Sequence, residues 1–194
     1  MKHDSQGSRR APVIVLLAVI AIGLGFLGDF IITCIEKNAY PREYAEYVEI
    51  YAQKYGVPES LVFAVIHTES SFDSGAVSSA GAVGLMQMTP DTFAWLTDEI
   101  LFEHLENGML YDPETNIKYG TYLLSRFYDR YGDWKLTLAA YNGGVGNVDS
   151  WLKDPEYSDG EGGLKKIPFK ETRNYVKKVA DAKDTYERLY GTQK

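Results

Sequence analysis

Residues 58–90 read PESLVFAVIHTESSFDSGAVSSAGAVGLMQMTP, and the pattern within this stretch decides the fold class. Pro58 opens an apolar run with helical spacing, which predicts a buried helix. Thr89 and Pro90 combine an N-cap residue with a proline at the first helical position, so a second helix should begin there. The small and hydroxyl-bearing residues between the two helices would let a ligand approach the backbone closely, although an ordinary connection has the same composition.

Glu69 is the most informative residue of this stretch. It follows Ile66 by three positions and Val65 by four, so at about 100° per residue its carboxyl points along the apolar side of the helix. Burial and the negative end of the helix dipole both raise the pKa of a carboxyl group. Such a group is a candidate proton donor at neutral pH. A surface glutamate at a frayed helix end, or a core glutamate paired with an arginine, remains the alternative.

The rest of the chain after residue 40 also reads as a series of helices. Asp112 with Pro113 repeats the N-cap and proline pattern, and Asp133 caps a further apolar segment. The last helix, residues 170–190, carries an apolar stripe at spacings of three and four. No stretch alternates convincingly as a β-strand would. The sequence therefore predicts a compact, mainly α domain from about residue 41 to residue 190.

The N-terminal part contains a long apolar run, residues 11–35, in which Asp29 is the only ionisable residue apart from Cys34. An apolar helix of this length crosses a hydrocarbon core of about 30 Å. A cleaved signal peptide is the alternative, but its apolar region would be about 7–15 residues long and followed by an A-x-A-like site. We therefore predict an uncleaved transmembrane anchor.

Basic residues before the anchor predict its orientation. Lys2, Arg9 and Arg10 precede the apolar run, and the positive-inside rule places such residues in the cytoplasm. The chain is thus expected to be a single-pass protein of the cell membrane with an extracytoplasmic domain. The predicted segments are a cytoplasmic N-terminus at 1–10, an anchor at 11–35, a short linker at 36–40 and a catalytic domain at 41–194.

Composition excludes several classes of function. The 194 residues are 45% hydrophobic and 24% charged, with a net charge of −7, and no basic face suggests a nucleic-acid partner. Cys34 is the only cysteine, so no internal disulfide can form. His67 lies two residues before Glu69, and the two side chains diverge on a helix, so a zinc site is not predicted.

Five fragments together resemble one family. They are ES at 69–70, Ser78, GLMQ at 84–87, AYN at 140–142 and PFKETRNYV at 168–176. In order and spacing they resemble the successive motifs of the family 1 lytic transglycosylase (SLT) domain, and the resemblance extends to nearly the whole exported part. It implies a lysozyme-like α fold related to goose-type lysozyme. It also implies cleavage of the β-1,4 bond between N-acetylmuramic acid and N-acetylglucosamine in peptidoglycan, leaving a 1,6-anhydromuramic end without metal or cofactor.

The resemblance also implies roles for individual residues. Glu69 would act as the catalytic acid and then as the base. The other implied roles are Ser78 near the muramoyl 2-acetamido group, Met86 and Gln87 lining the glycan groove, Tyr141 positioning Glu69 or the sugar, Asn142 in the central subsite, and Glu171 and Tyr175 in the groove wall. Gly143 departs from the family, which more often has alanine at this position.

Asp73 is a second acid, four residues after Glu69. A glycosidase usually needs two carboxylates, and with a single one the nucleophile must come from the substrate itself. We expect the helix to end before Asp73 and its carboxyl to serve a turn. A lysozyme-type hydrolase and a glycan-binding module without turnover remain alternatives, and a role in a secretion, conjugation or sporulation assembly is compatible with the anchor.

Overall fold

The computed structural model describes residues 10–100 and 103–191, and the chain forms two compact units, Met1–Pro41 and Arg42–Lys194. Within the described residues the only β-type pairing consists of isolated bridges, and the rest of the regular structure is helical. The predicted mainly α architecture is therefore confirmed.

The first unit contains one long helix, α1 (Arg10–Ala39). An 18-residue window within Ile14–Ala39 has a mean hydropathy of 2.6 and none of it is buried, so by length and composition this part of the helix could cross a membrane. The helix includes the predicted anchor but does not stop at residue 35, because it continues through most of the predicted linker at 36–40. Lys2 and Arg9, which predicted the orientation, lie outside the described residues.

The second unit contains the remaining helices. Their bounds are α2 (Ala45–Tyr55), α3 (Glu59–Ser70), α4 (Pro90–Ala94), a π-helical turn (Trp95–Ile100), a 3-10 turn (Asn107–Tyr111), α5 (Pro113–Tyr131), α6 (Trp134–Gly143), α7 (Val145–Lys153) and α8 (Lys170–Tyr190). The domain expected from about residue 41 has its first helix at Ala45, because Tyr44 adopts a left-handed conformation with φ 58° that is incompatible with an α-helix.

The predicted N-caps are confirmed by hydrogen bonds. The Thr89 side chain accepts from the backbone N–H of Thr92 at the start of α4. At the start of α5, Asp112 accepts from Thr115 at 2.8 Å, and Asp133 caps α6 in the same way. Each cap satisfies one of the N–H groups that a helix N-terminus leaves without a partner, which is worth about 1 kcal/mol.

Helix α3 is the centre of the second unit. Its residues 61–66 are all buried, and the helix packs against α2 and α8. Phe63 of α3 stacks on Tyr186 of α8 with 5.4 Å between ring centroids. Helix α6 packs against α5, α7 and α8. This packing brings together the C-terminal end of α3, the end of α6 and the first turns of α8, and the candidate site lies there.

Candidate active site

Glu69 lies in the last turn of α3, which ends at Ser70. The side chain is half-buried, and burial raises the pKa of its carboxyl to about 7, an effect that Tyr175 partly opposes. The predicted upward shift is therefore present, with burial as its main cause. At neutral pH about half of such carboxyl groups are protonated, so Glu69 can both give and take a proton.

Two tyrosines from different helices flank Glu69. Tyr141 of α6 and Tyr175 of α8 both have a phenol pKa well above the usual value, because they are buried and the Glu69 charge is close. The Tyr141 hydroxyl donates to the backbone oxygen of Met86 at 2.8 Å. In this structure the Tyr141 hydroxyl therefore supports the loop that follows α3, and its expected role in positioning Glu69 or the sugar stays a prediction.

Tyr175 contacts Glu69 more directly than the sequence suggests. Its hydroxyl is buried and has no hydrogen-bond partner of good geometry within the described residues, although its proximity to Glu69 lowers the pKa of that carboxyl. A buried hydroxyl without a partner costs about 1–3 kcal/mol, so such a group is uncommon in a purely structural position. The family resemblance implies a place in the groove wall for Tyr175, and the structure adds that its hydroxyl lies near the Glu69 carboxyl.

The loop between α3 and α4 is held by Asn116, a buried residue of α5 that the sequence reasoning missed. Its side-chain oxygen accepts from Met86 N at 2.8 Å, and its amide nitrogen donates to the backbone oxygens of Val83 and Leu110 at 3.0 and 2.8 Å. A polar amide on the buried side of an amphipathic helix is the signal that could have found it. Gly84 is required beside it, because a Cβ there would lie 2.5 Å from the Leu110 oxygen.

Gln87 belongs to this loop and has a left-handed backbone with φ 47°. Its amide nitrogen donates to the oxygens of Ala76 and Gly84 at 3.1 and 2.9 Å, so one half of the amide stabilises the loop. The described residues offer no donor to the amide oxygen. Ser70, next to Glu69, connects α3 to the same loop through a 2.8 Å hydrogen bond to the Leu85 oxygen.

Met86 differs from the prediction that it lines the groove. Its side chain is fully buried beneath the loop and packs on Gly120 of α5. A side chain with no exposed surface cannot contact a sugar, so in this structure Met86 supports the loop from below. The half-buried Ser78 accepts a 3.0 Å hydrogen bond from Ala82 N. Asp73 is exposed and accepts from Gly75 N at 2.9 Å, which confirms it as a turn residue.

Asn142 and Glu171 both have exposed side chains without a hydrogen-bond partner in the described part of the chain. Asn142 follows Tyr141 on α6, and Glu171 lies in the first turn of α8. Helices α6 and α8 approach each other closely at Gly143. A Cβ added to this glycine would lie only 3.0 Å from Thr172 Oγ1, which is tighter than an ordinary contact. That contact gives a physical reason for glycine at a position where alanine was expected.

A cavity adjoins the site on the side of Tyr141. Ala140 and Tyr141 also line a cavity of about 520 Å³ between α5 and α6. Among residues 10–100 and 103–191, no group of three or more His, Cys, Asp or Glu side chains could hold a metal ion. Glu69 has a raised pKa suited to acid–base chemistry, and the exposed amide of Asn142 is open to a ligand.

Comparison with known proteins gives consistent results. A sequence profile of the transglycosylase SLT domain matches residues 46–161. The chain is 35% identical to the soluble lytic murein transglycosylase of Escherichia coli K12, covering 79% of this chain and 24% of that protein. It is 33% identical to the membrane-bound lytic murein transglycosylase C of Serratia proteamaculans, covering 79% and 49%. The chain thus spans about a quarter of the length of the soluble relatives and about half that of the membrane-bound one.

Solved structures show the same likeness. The 70-kDa soluble lytic transglycosylase of E. coli superposes with a TM-score of 0.73 at 33% identity, over 80% of this chain and 26% of that one. An inactive glutamate-to-glutamine mutant of the lytic transglycosylase Slt from Pseudomonas aeruginosa superposes with a TM-score of 0.69 at 32% identity, over 79% and 25%.

Proposed function

The chain belongs to the transglycosylase SLT domain family, and from that premise we propose that its second unit is a peptidoglycan lytic transglycosylase. The substrate is the bond between C1 of N-acetylmuramic acid and O4 of N-acetylglucosamine. The single observation that carries the proposal is the Glu69 carboxyl at the end of α3, which lies near Tyr141 and Tyr175 and whose pKa burial raises to about 7.

Glu69 acts first as the general acid. Its proton passes to the glycosidic oxygen as the C1–O4 bond breaks, and the bonding electron pair leaves with that oxygen. The positive charge that develops at C1 is stabilised by the oxygen of the muramoyl 2-acetamido group. Glu69 is left as a carboxylate in a partly desolvated position, which makes it a stronger base than an exposed glutamate.

Glu69 then acts as the general base. The carboxylate takes the proton of the muramoyl 6-hydroxyl, and O6 bonds to C1 to close the 1,6-anhydro ring. No water enters the product, and Glu69 regains its proton for the next cycle. The usual two-carboxylate hydrolytic route needs a second carboxylate near the reacting carbon, whereas Asp73 is exposed and accepts a hydrogen bond within its own turn.

Other residues hold the strand in this scheme. We assign the free amide oxygen of Gln87 and the exposed amide of Asn142 to contacts with sugar hydroxyl and acetamido groups. Ser78 is assigned to the 2-acetamido group and Glu171 to the groove wall. Tyr175 is assigned to positioning the Glu69 carboxyl, because its hydroxyl has no other partner in the described part of the chain.

Helix α1 is proposed as the anchor of this enzyme. A largely apolar helical span of 26 residues, Ile14–Ala39, fits a single crossing of the membrane, with the N-terminus in the cytoplasm and the second unit outside. Proteinase K added to intact spheroplasts should then degrade the second unit. Protection of that unit would contradict the orientation, and a fragment released into the medium without α1 would indicate cleavage. A role of the anchored enzyme in a secretion, conjugation or sporulation assembly is compatible with such an anchor.

Product analysis tests the proposed reaction. Purified peptidoglycan is digested with the full-length protein in detergent, in parallel with Glu69→Gln, and the soluble products are analysed by mass spectrometry. We expect 1,6-anhydromuramic ends from the wild type and none from the variant. Products one water heavier would instead indicate a lysozyme-type hydrolase. Full cellular function of Glu69→Gln would indicate a glycan-binding module.

A further inference from the structure

The cavity beside Tyr141 has a chemical character that the reaction at Glu69 does not explain. Its volume is about 520 Å³, and Tyr141 belongs both to its wall and to the surroundings of Glu69. Trp95 and Phe127 add aromatic surface, and Trp95 is 38% exposed although it is large and apolar. Exposed aromatic rings next to a glycan site are suited to contact with the flat apolar side of a sugar or with a peptide.

Two arginines line the same cavity, and only one of them is neutralised. Arg130 forms a two-pronged ion pair with Asp149, at 2.5 Å from Nη2 and 3.3 Å from Nε, and Tyr131 donates to the same carboxylate at 2.9 Å. Arg126 lies one helical turn earlier on α5 and is exposed. Within residues 10–100 and 103–191 its guanidinium has neither a hydrogen-bond acceptor nor an ion-pair partner.

The charge of the cavity is opposite to that of the protein. The chain carries a net charge of −7, yet no Asp or Glu is among the residues that line this cavity. An arginine presents several N–H donors in a planar fork that matches a carboxylate. An unpaired guanidinium among aromatic rings, in a cavity that shares Tyr141 with the surroundings of Glu69, therefore fits a ligand that carries both a ring or chain and a carboxylate.

Resting on the proposed function, we propose that Arg126 binds a carboxylate carried by the muramoyl side chain of the substrate. Peptidoglycan supplies this chemistry in two forms, namely the acidic groups of the stem peptide and the lactyl carboxylate that is freed when the peptide is removed. Arg126 is then a specificity-determining residue, which favours strands that carry such a carboxylate in the cavity over strands in which it is neutral.

The test compares two proteins on three substrates. Full-length wild type and Arg126→Gln, in detergent, digest intact peptidoglycan, the same material with its carboxylates converted to amides, and peptide-free strands prepared with an amidase. The measured quantity is kcat/KM for anhydro products at low and high salt. Lys178→Gln is the matched control, because it removes one exposed positive charge from α8. Arg126→Lys keeps the charge without the planar fork.

We expect Arg126→Gln to lower kcat/KM by about threefold to tenfold on a substrate with free carboxylates and to leave the amidated substrate unaffected. The loss should shrink at high salt, since exposed charges are screened. Lys178→Gln should match the wild type throughout. A loss on intact material identifies the stem peptide as the source of the carboxylate, and a loss on peptide-free strands identifies the lactyl group.

Two results would overturn the proposal. Arg126→Gln could match the wild type on every substrate, or it could lose the same factor on free and amidated material. Neither result affects the assignment of the reaction, because the wild type still releases anhydro products. Absence of those products from the wild type would refute the proposed function instead. In that case, binding is measured without turnover by co-sedimentation of Glu69→Gln and of the double variant Glu69→Gln/Arg126→Gln with the three substrates, insoluble or immobilised. A difference in binding between these two proteins tests carboxylate recognition by Arg126 separately from the reaction.

Discussion

Replacement of Asn116 by alanine should loosen the loop between α3 and α4 that carries Gln87. The substitution removes three hydrogen bonds, those to Met86 N and to the backbone oxygens of Val83 and Leu110. These bonds join the loop, α5 and the 3-10 turn around a residue that is 1% exposed. Since each buried group left without a partner costs about 1–3 kcal/mol, we expect a loss of about 3–5 kcal/mol in the free energy of unfolding after partial relaxation.

Tryptophan fluorescence during urea denaturation measures this change on the full-length protein in detergent. All three tryptophans lie after residue 41, so the signal reports on the second unit alone. Asn174→Ala is the matched control, because Asn174 is exposed and should change the unfolding free energy by less than about 0.5 kcal/mol. If Asn116→Ala is as stable as this control, the hydrogen bonds of Asn116 do not hold the loop.

Four further predictions concern the site and its supports. Activity should fall as the pH rises through about 7, because Glu69 must be protonated to start the reaction. The pKa of Glu69 in the folded protein lies above the usual 4.5, so the free energy of unfolding should fall as the pH rises from 4.5 to about 7. Glu69→Gln should therefore be the more stable protein at pH 8, as measured by urea denaturation. Tyr175→Phe should move the alkaline limb of the pH–rate profile upward, because the phenol lowers the pKa of Glu69. It should not lower the free energy of unfolding, because it removes a buried hydroxyl without a hydrogen-bond partner, and an unchanged pH–rate profile would refute the contact. Gln87→Ala should lower kcat/KM at least tenfold and also cost about 1–2 kcal/mol of stability through its two loop hydrogen bonds; loss of stability alone would make the amide purely structural. Gly143→Ala should cost about 1 kcal/mol through its contact with Thr172 and regain it in combination with Thr172→Ala, as thermal unfolding would show.

The parts of the fold that depend only on residues close together in the sequence could be predicted. Thr89, Asp112 and Asp133 act as N-caps as expected, because a cap bonds to an N–H only two or three residues away. The start of α2 could not be placed, since the left-handed backbone of Tyr44 has no local signature of the kind that glycine provides.

The candidate site could be predicted in its central residue but not in its supports. Helical periodicity places Glu69 on the apolar side of α3, and its proposed role comes from the resemblance to the SLT family. The roles of Asn116 and Tyr175 depend on contacts between α5 or α8 and the region around α3, which are distant in the sequence. The burial of Met86 has the same origin, because only the packed structure shows that Gly120 lies against its side chain.

Digestion in water labelled with heavy oxygen tests the central claim most directly. Peptidoglycan is treated with the wild-type protein in labelled water, and the new muramoyl ends are analysed by mass spectrometry. If O6 of the sugar closes the ring after Glu69 removes its proton, the products are 1,6-anhydro ends with no label. Incorporation of one labelled oxygen at C1 would show that water is the nucleophile and would contradict the account.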